Sequence, residues 1–527
     1  MSDPGSPDMH SLVAEVERQR AAVMDAGRPA AVARQHARER MTARERIAYL
    51  LDPASFMEQG AFAQPLRNNR YNAELVAPAD GMITGTGTID GRPVVVAASD
   101  FTVLGGSIGT IGRHKIVRAA RRAGEAGMPF IMLQEGGGHR IQDGLDARHF
   151  AQGNQIWDAM ARMSGWAPTI SAIMGPGFAA PTNYSALADF VVMVRGKSTM
   201  GMAGPALVKA GTGQDISQED LGGAAMQTDQ HGISHLATDD DASCLDAIRR
   251  YLSYLPSNSR QPPPVRTPAG DDPERAGDEL MQIVPTYLRR AYDVRKVLEV
   301  VADRDSVFEI QPTYARNLVV AFARLDGRPV GFIANQPMRS AGIIDAKASE
   351  KAAHFIAVCD AYGLPLVYFI DVPGFHIGAA AEASALARRC GRMMFELACA
   401  TVPRVSIVMR KGYGLGFCAM AGGQPSFNVD AAVAWPTAEI SAMSVAGAVD
   451  VVYRRDYEAA EDPQARRREM IDEFKGQLGP VRSNEHFHMD DVIDPRQTRP
   501  FLIKTLQRVP ARRLDTGFPR TRPISPI

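Results

Sequence analysis

The chain has 527 residues, 45% hydrophobic and 22% charged, with 59 Lys plus Arg against 59 Asp plus Glu. That length implies several domains, or two large ones, at roughly 100–200 residues each, and a core that needs no disulfide or metal staple. The neutral balance argues against a broadly nucleic-acid-binding protein, although a local basic patch for a phosphorylated ligand stays possible. Cys244, Cys359, Cys390, Cys399 and Cys418 form no CxxC pair and no Cys/His cluster, so a structural zinc site is not expected. The start, MSDPGSPDMH, has neither the basic region nor the apolar run of a secretory signal. No run of about 18 apolar residues is present. The expectation is a soluble cytoplasmic enzyme that binds neither membrane nor nucleic acid.

In chain order, Ala21–Leu51 is charged and helical in pattern, ending at Asp52-Pro53. From Gly81 short β-rich runs alternate with glycine. Strand Pro93–Ala98, helix Arg113–Ala126 and buried strand Phe130–Gln134 follow. After a glycine turn and a helix comes strand Thr169–Met174, then a second glycine turn and a further helix. Residues 258–276 are poor in large apolar side chains and rich in proline, and read as an extended surface linker. They separate a domain at 1–257 from one at 277–527. Past them the order recurs: strand Pro329–Asn335, helix Lys347–Tyr362, strands Leu366–Ile370 and Arg404–Met409.

The halves echo each other in sequence. Asp90-Gly-Arg-Pro-Val94 returns as Asp326-Gly-Arg-Pro-Val330, Gly127-Met-Pro-Phe130 as Gly363-Leu-Pro-Leu366, and Glu135 aligns with Asp371, all at an offset of 236 (326 − 90). One residue out of phase, Pro168–Met174 mirrors Pro403–Met409. Ordered matches at near-constant offset indicate an internally duplicated α/β protein.

Three glycine-rich turns follow apolar strands: Glu135-Gly-Gly-Gly-His-Arg140, Gly175-Pro-Gly-Phe-Ala-Ala180 and Arg410-Lys-Gly-Tyr-Gly-Leu-Gly416. Glycine lets backbone N–H groups converge on a ligand, and a helix start leaves such groups unpaired in a favourable dipole. The arrangement suits an enolate, a tetrahedral intermediate or a phosphate; equally, it suits tight turns that need positive φ. There is no GxxxxGK[ST], no GxGxxG in a Rossmann context, no GxSxG and no HExxH. His139, His231 and His235 look ligand-like but fit surface or packing roles better. Glu135 and Asp371 read as turn-bracing carboxylates, and Cys418, without a His partner, as pocket lining.

The segments TARERIAYLLDPASFMEQ, DGMITGTGTIDGRPVVVAASDFTVLGGSIG, GGGHRIQDG, MAGPALVKAGTGQDISQEDLGGA, FIDVPGFHIG and AWPTAEI resemble the carboxyltransferase (β) subunits of biotin-dependent acyl-CoA carboxylases, such as propionyl-CoA and methylcrotonyl-CoA carboxylase. The likeness runs from Ala43 to about Val509. It implies two tandem crotonase-like (ClpP/crotonase) domains, acyl-CoA on the first and biotin on the second. It also implies chemistry without a dedicated acid or base: carboxybiotin delivers CO2, its ureido nitrogen accepts the α-proton, and the enolate attacks. The protein aligns the reactants and stabilises two oxyanions.

Carried over residue by residue, Gly137 and Gly138 match the first oxyanion pair, and Leu415 and Gly416 the second. Substrate contacts fall on His139, Arg140, Ala179, Ala180, Lys209 and Cys418, with Arg140 and Gln142 bracing the first loop. Biotin contacts fall on Phe375, Gly414 and Phe417, and no metal is implied. Gly136 and His139 stand where the family usually has Ser and Ala, Ala179-Ala180 where a Gly-Gly pair is common, and His376 where an apolar residue follows Pro-Gly-Phe; Gly412 and Leu415 alter the second loop. These departures leave the acyl group open between an unusual substrate and drift. No Ala-Met-Lys-Met-like biotinylation site is present. The resemblance therefore places biotin and its ATP-dependent carboxylation on a partner, a biotin carboxylase and biotin carboxyl carrier (α) subunit, and implies a homohexamer. A decarboxylase or transcarboxylase subunit, a biotin-independent crotonase-type enzyme and a non-catalytic scaffold are the alternatives.

Overall fold

A computed structural model describes residues 8–67, 73–153, 155–266, 270–423 and 429–513. The chain forms two compact units, one running through Ser253 with Ser257–Gln261, the other comprising Tyr254–Pro256 and the chain from Pro262 onward. The proline-rich segment is extended but tied down. Asn258 is buried, with its amide donating to Gly127 O at 2.9 Å, while Arg324 donates to Pro264 O at 2.9 Å. Residues 267–269 of that segment lie outside the described residues.

Each unit is built on one eight-stranded mixed sheet. In the first, β1 (Met57–Gln59), β2 (Met82–Ile89) and β3 (Arg92–Ser99) are antiparallel neighbours. β3 then pairs in parallel with β4 (Phe130–Gly136), β4 with β5 (Thr169–Phe178), β5 with β6 (Phe190–Val194) and β6 with β8 (Leu236–Thr238); β7 (Thr199–Gly201) pairs the far end of β5. The second repeats this order with β9 (Phe308–Ile310), β10 (Leu318–Leu325), β11 (Arg328–Asn335), β12 (Leu366–Val372), β13 (Arg404–Tyr413), β14 (Ala431–Ala434), β15 (Glu439–Ser441) and β16 (Asp491–Val492). The duplicated α/β architecture expected from the sequence is the one found.

The local causes repeat as well. Asp90-Gly91 and Asp326-Gly327 all have φ between 50° and 76°, the conformation that joins two strands by a two-residue hairpin. Each turn hands its N–H groups to a remote carboxylate: Asp90 and Gly91 to Asp52 at 3.0 and 2.8 Å, Asp326 and Gly327 to Asp303 at 2.9 and 2.7 Å. Parallel strands require crossovers, and the helices Thr110–Ala126 and Ala346–Tyr362 supply the first in each unit. Each ends on a left-handed glycine, Gly127 or Gly363. Both helices begin up to three residues before the apolar pattern suggests. The N-terminal charged region forms the helices Met9–Val23, Pro29–His36 and Ala43–Leu50, the last opened by a Thr42/Glu45 capping box. No helix among the described residues is long and apolar enough to cross a membrane.

Candidate functional site

The glycine turns after β4 and β12 are held by one and the same device. In the first unit Ile108 N–H donates to Gly138 O and Arg140 N–H donates to Ile108 O, both at 2.8 Å; in the second, Ile344 N–H donates to Gly374 O at 3.1 Å and His376 N–H to Ile344 O at 2.9 Å. All three partners differ by 236 between the units. The residue enclosed by each pair of bonds, His139 or Phe375, turns its own N–H and C=O away from the bridging isoleucine.

Each turn abuts the strand-to-helix junction of the next strand. A Cβ on Gly138 (φ 85°) would meet Phe178 O at 3.0 Å and Ala179 Cβ at 3.1 Å, and Ala180 N lies 3.6 Å from that point. A Cβ on Gly416 would meet Gly374 Cα at 2.9 Å. Two backbone segments thus approach each other as only glycine permits. The second and third glycine turns do not begin at Gly175 and Arg410. β5 and β13 run on through them, because each strand shifts register and pairs a second time, with β7 and β15. The chain turns only at Ala179 and Gly414.

At these turns the backbone is left-handed: Gly414 has φ 58°, and Ala179 has φ 61° with ψ −110°. Ala179 is held there by its N–H to Gly201 O (2.8 Å) and by its carbonyl, which accepts from Asn183 N (3.0 Å) and Asn183 Nδ2 (2.9 Å). The helix Ala180–Ser185 starts immediately after Ala179 and the helix Gly414–Ala419 on Gly414 itself, and their first N–H groups lack intrahelical acceptors.

The remaining candidates fall in different places. Gly137 is exposed, with open space where a Cβ would go, and His139 is half-buried. Arg140 is buried beneath the loop, its guanidinium taken by the Asp80 carboxylate and Ser107 O. It braces the loop and does not line the cavity described below. The second unit lacks this brace: His376 and Arg316 stand at the two equivalent positions. Lys209 is exposed on the helix Pro205–Thr212, paired with Asp215 at 2.8 Å. Phe375 packs on Ala346, Ala381 and Leu386. Phe417 wedges against Gly412, where an added Cβ would lie 2.9 Å from its ring, and against Gly422. Both aromatic rings therefore spend at least part of their surface inside their own unit. Leu415 is 69% exposed, and Cys418 is half-buried. His231 is exposed and bonded to Gln227, whereas His235 is buried and accepts from Val191 N–H at 2.9 Å.

Glu135 and Asp371 are fully buried braces. Glu135 binds Arg40 (2.9 Å), Arg46 (2.5 Å) and Gln35 (2.8 Å); Asp371 binds Arg410 (2.8 Å) and Lys411 (3.3 Å). Sequence reasoning missed the cavity beside the first loop, of about 360 Å³, formed in part by Ile108, Phe150, Trp157 and Tyr184. The signal for it was a Trp on the charged side of the helix Ile156–Met163. No group of His, Cys, Asp and Glu able to hold a metal occurs among the described residues.

This geometry belongs with known proteins. Residues 34–521 match the carboxyl transferase domain family. The propionyl-CoA carboxylase carboxyltransferase subunit of Haloferax mediterranei is 41% identical over 96% of this chain and 97% of its own. The methylmalonyl-CoA decarboxylase subunit alpha of Veillonella parvula is 39% identical over 92% of each chain. The methylmalonyl-CoA carboxyltransferase 12S subunit of Propionibacterium freudenreichii subsp. shermanii is 38% identical over 96% of this chain and 95% of its own. A crystal structure of transcarboxylase 12S, described as a hexamer assembly with methylmalonyl-coenzyme A bound, superposes with a TM-score of 0.92 at 36% identity, covering 98% of this chain and 99% of that one. With its two tandem crotonase-like domains, the chain belongs to the carboxyl transferase domain family, as a carboxyltransferase of the biotin-dependent acyl-CoA carboxylase type.

Proposed function

We propose that the chain moves a carboxyl group from carboxybiotin, carried on a biotin carboxylase and biotin carboxyl carrier partner, to the α or vinylogous γ carbon of an acyl-CoA. The observation that carries the reading is the repeated approach of a glycine turn to a strand-to-helix junction, Gly138 on Ala179-Ala180 and Gly374 on Gly416. In the first unit, the acyl-CoA side, the Gly137 and Gly138 N–H groups hold the thioester oxygen as it gains charge. Donors fixed in advance at a developing oxyanion are worth about 10²–10³ in rate each. Ala179, Ala180 and His139 flank the acyl group, Arg140 sets the loop from below, and exposed Lys209 exchanges Asp215 for a CoA phosphate.

In the second unit the Leu415 and Gly416 N–H groups play the equivalent part toward the ureido oxygen, with Phe375, Gly414 and Phe417 around the ring and Cys418 near the acyl end. The lack of a Cβ on Gly416, where one would strike Gly374, supports a bare backbone edge there for a flat polar ring. When bound, carboxybiotin supplies CO2 and a ureido nitrogen that accepts a proton. This chain's own residues align the reactants and hold charge. By analogy with the 12S relative, we propose a homohexamer, and a cytoplasmic setting.

The test is fixation of labelled bicarbonate by the full chain with its co-encoded biotin-bearing subunit, ATP and magnesium, across acetyl-, propionyl-, butyryl-, methylcrotonyl- and geranyl-CoA. Acid-stable label in one product supports the reading. A second reading, the reverse direction, is favoured by relatives named as a methylmalonyl-CoA decarboxylase subunit and a methylmalonyl-CoA carboxyltransferase. It predicts loss of label from a carboxylated acyl-CoA onto the carrier. No transfer in either direction with a carboxylated partner overturns both.

A further inference from the structure

The two glycine loops are anchored by equivalent carboxylates, but the cations that hold them come from opposite directions. In the second unit Asp371 stands near the end of β12, and Arg410, 2.8 Å away, is carried by the neighbouring strand β13. Arg410 reaches from there to the segment ahead of the sheet, donating to Arg290 O at 2.8 Å. In the first unit the residue that matches Arg410 is Gly175 (410 − 175 = 235, the offset that pairs Pro403 with Pro168). A Cβ there would lie 2.5 Å from Glu135 Cγ. The Glu135 side chain therefore takes the space that a side chain at 175 would need, and β5 offers it no cation at that place.

The cations come instead from the segment ahead of the sheet. Arg40 Nη1 donates to Glu135 Oε1 at 2.9 Å, while Arg46 Nη1 and Gln35 Nε2 donate to Oε2 at 2.5 and 2.8 Å. Both arginines are tied down in turn. Arg40 Nη2 donates to Lys197 O at 2.9 Å, and Arg46 Nε to Asp241 Oδ2 at 2.8 Å. Glu135 is fully buried and runs directly into Gly136-Gly137-Gly138. A Cβ on Gly136 would strike Gly106 O, so the backbone that enters the loop is packed on that side as well. Charge-assisted hydrogen bonds of this kind fix geometry as well as add strength.

We infer that Arg40, together with Arg46 and Gln35, is a positioning residue for the acyl-CoA step: through Glu135 it sets where the Gly137 and Gly138 N–H groups stand, although it belongs to the N-terminal segment and not to the sheet. This rests on the oxyanion reading above and deepens it. The biotin-side loop, whose brace is built into β13, does not draw on that segment.

Arg40 is the residue to change, because its side chain is the outermost of the three, and its loss leaves Glu135 paired with Arg46. A misplacement of 1 Å costs on the order of 10²-fold in rate; with Arg46 and Gln35 still in place, Arg40→Gln should lower kcat by about 10-fold. KM for the acyl-CoA should change little, as for an interaction felt only in the transition state. Arg40→Lys, which keeps the charge, should recover part of the loss. Arg44→Gln is the control. Arg44 makes a similarly sheltered pair with Glu58 at 2.8 Å, away from the loop, so its variant should lose comparable stability and keep kcat. The donors themselves are read on the full chain alone, by isotope-edited infrared spectra of propionyl-CoA carrying carbon-13 at the thioester carbonyl. The carbonyl stretch should fall on binding to the wild type and to Arg44→Gln, and by less than half as much with Arg40→Gln. An unchanged kcat or an undiminished infrared shift in Arg40→Gln, or equal losses in Arg44→Gln, overturns the inference and leaves the oxyanion reading intact. No infrared shift in the wild type overturns both.

Discussion

Lys115 and Lys351 occupy the same turn of equivalent helices, 236 residues apart (351 − 115), and each buries its ammonium among three backbone carbonyls. Lys115 Nζ donates to Gly60 O at 2.9 Å, Ala79 O at 3.2 Å and Met82 O; Lys351 Nζ donates to Gln311 O (2.8 Å), Tyr314 O (2.9 Å) and Leu318 O (2.8 Å). Met82 and Leu318 open the equivalent strands β2 and β10. In each unit, then, one buried lysine ties the loop before the central hairpin to the first crossover helix.

Replacing Lys351 with Met should strand three buried carbonyls. At about 1–3 kcal/mol for each unsatisfied group, partly relieved by entering water, a loss on the order of 3 kcal/mol is expected, read as a lower denaturant midpoint at unchanged slope. Burial pushes Lys351 down to about 7 despite the opposing pull of Glu309, with Arg295 adding to the fall. The native state therefore binds fewer protons than the unfolded chain between pH 7 and the unfolded value of 10.5. The contribution of this group to stability rises with pH across that window, by up to about 1.4 kcal/mol per unit, and is lost as pH falls through 7. The variant should lack that slope.

The duplication was legible because its markers are local: Asp-Gly hairpins, Gly-x-Pro strand openings and apolar runs. The lysines were not, although the same offset aligns them, since nothing in a one-dimensional pattern tells an inward-turned Lys from a solvated one. The glycine loops were legible as loops. Their closure on Ala179-Ala180 and on Gly416 was not, because it depends on β5 and β13 running past the glycines into a second register. Glu135 and Asp371 were readable as braces, but pairing Glu135 with Arg46 needed the fold to bring residues 89 positions apart together.

The close approach at each loop makes a sharp prediction for substitutions there. In Gly416→Ala the new Cβ strikes the Gly374 backbone, at 2.9 and 3.0 Å, and lies 3.1 Å from Val372 Cγ2. In Gly138→Ala it meets Phe178 O at 3.0 Å with φ at 85°. Each should lower kcat by about 10²–10³ through a misplaced oxyanion donor. Circular dichroism and the melting transition should show the unit still folded.

Ala179 carries a backbone conformation that suits glycine, φ 61° with ψ −110°. Strain of this kind costs about 1–3 kcal/mol, partly offset by the greater chain entropy of an unfolded glycine. Ala179→Gly should therefore stabilise the first unit by about 1 kcal/mol and raise its melting temperature. It also enlarges the cavity wall, so acyl-CoA preference should move toward bulkier groups. A neutral or negative change in stability would show that the hydrogen bonds around Ala179 have already removed the strain.

Asp371 and Arg410 form a fully buried ion pair at 2.8 Å, and Arg410 also donates to Pro285 O, Tyr287 O and Arg290 O at 2.8–3.3 Å. Removing one partner leaves an uncompensated charge, which typically costs about 3–5 kcal/mol. Asp371→Asn should fall in that range, because Arg410 stays protonated at any accessible pH. Arg410→Met should cost less per charge, since Lys411 remains 3.3 Å from Asp371, but it frees the three carbonyls of residues 285–290. The two variants therefore separate in kind. Asp371→Asn should destabilise the second unit as a whole, whereas Arg410→Met should also speed hydrogen exchange in the 285–290 segment. Equal protection of that segment in both variants would mean that the carboxylate, and not the guanidinium clamp, organises it.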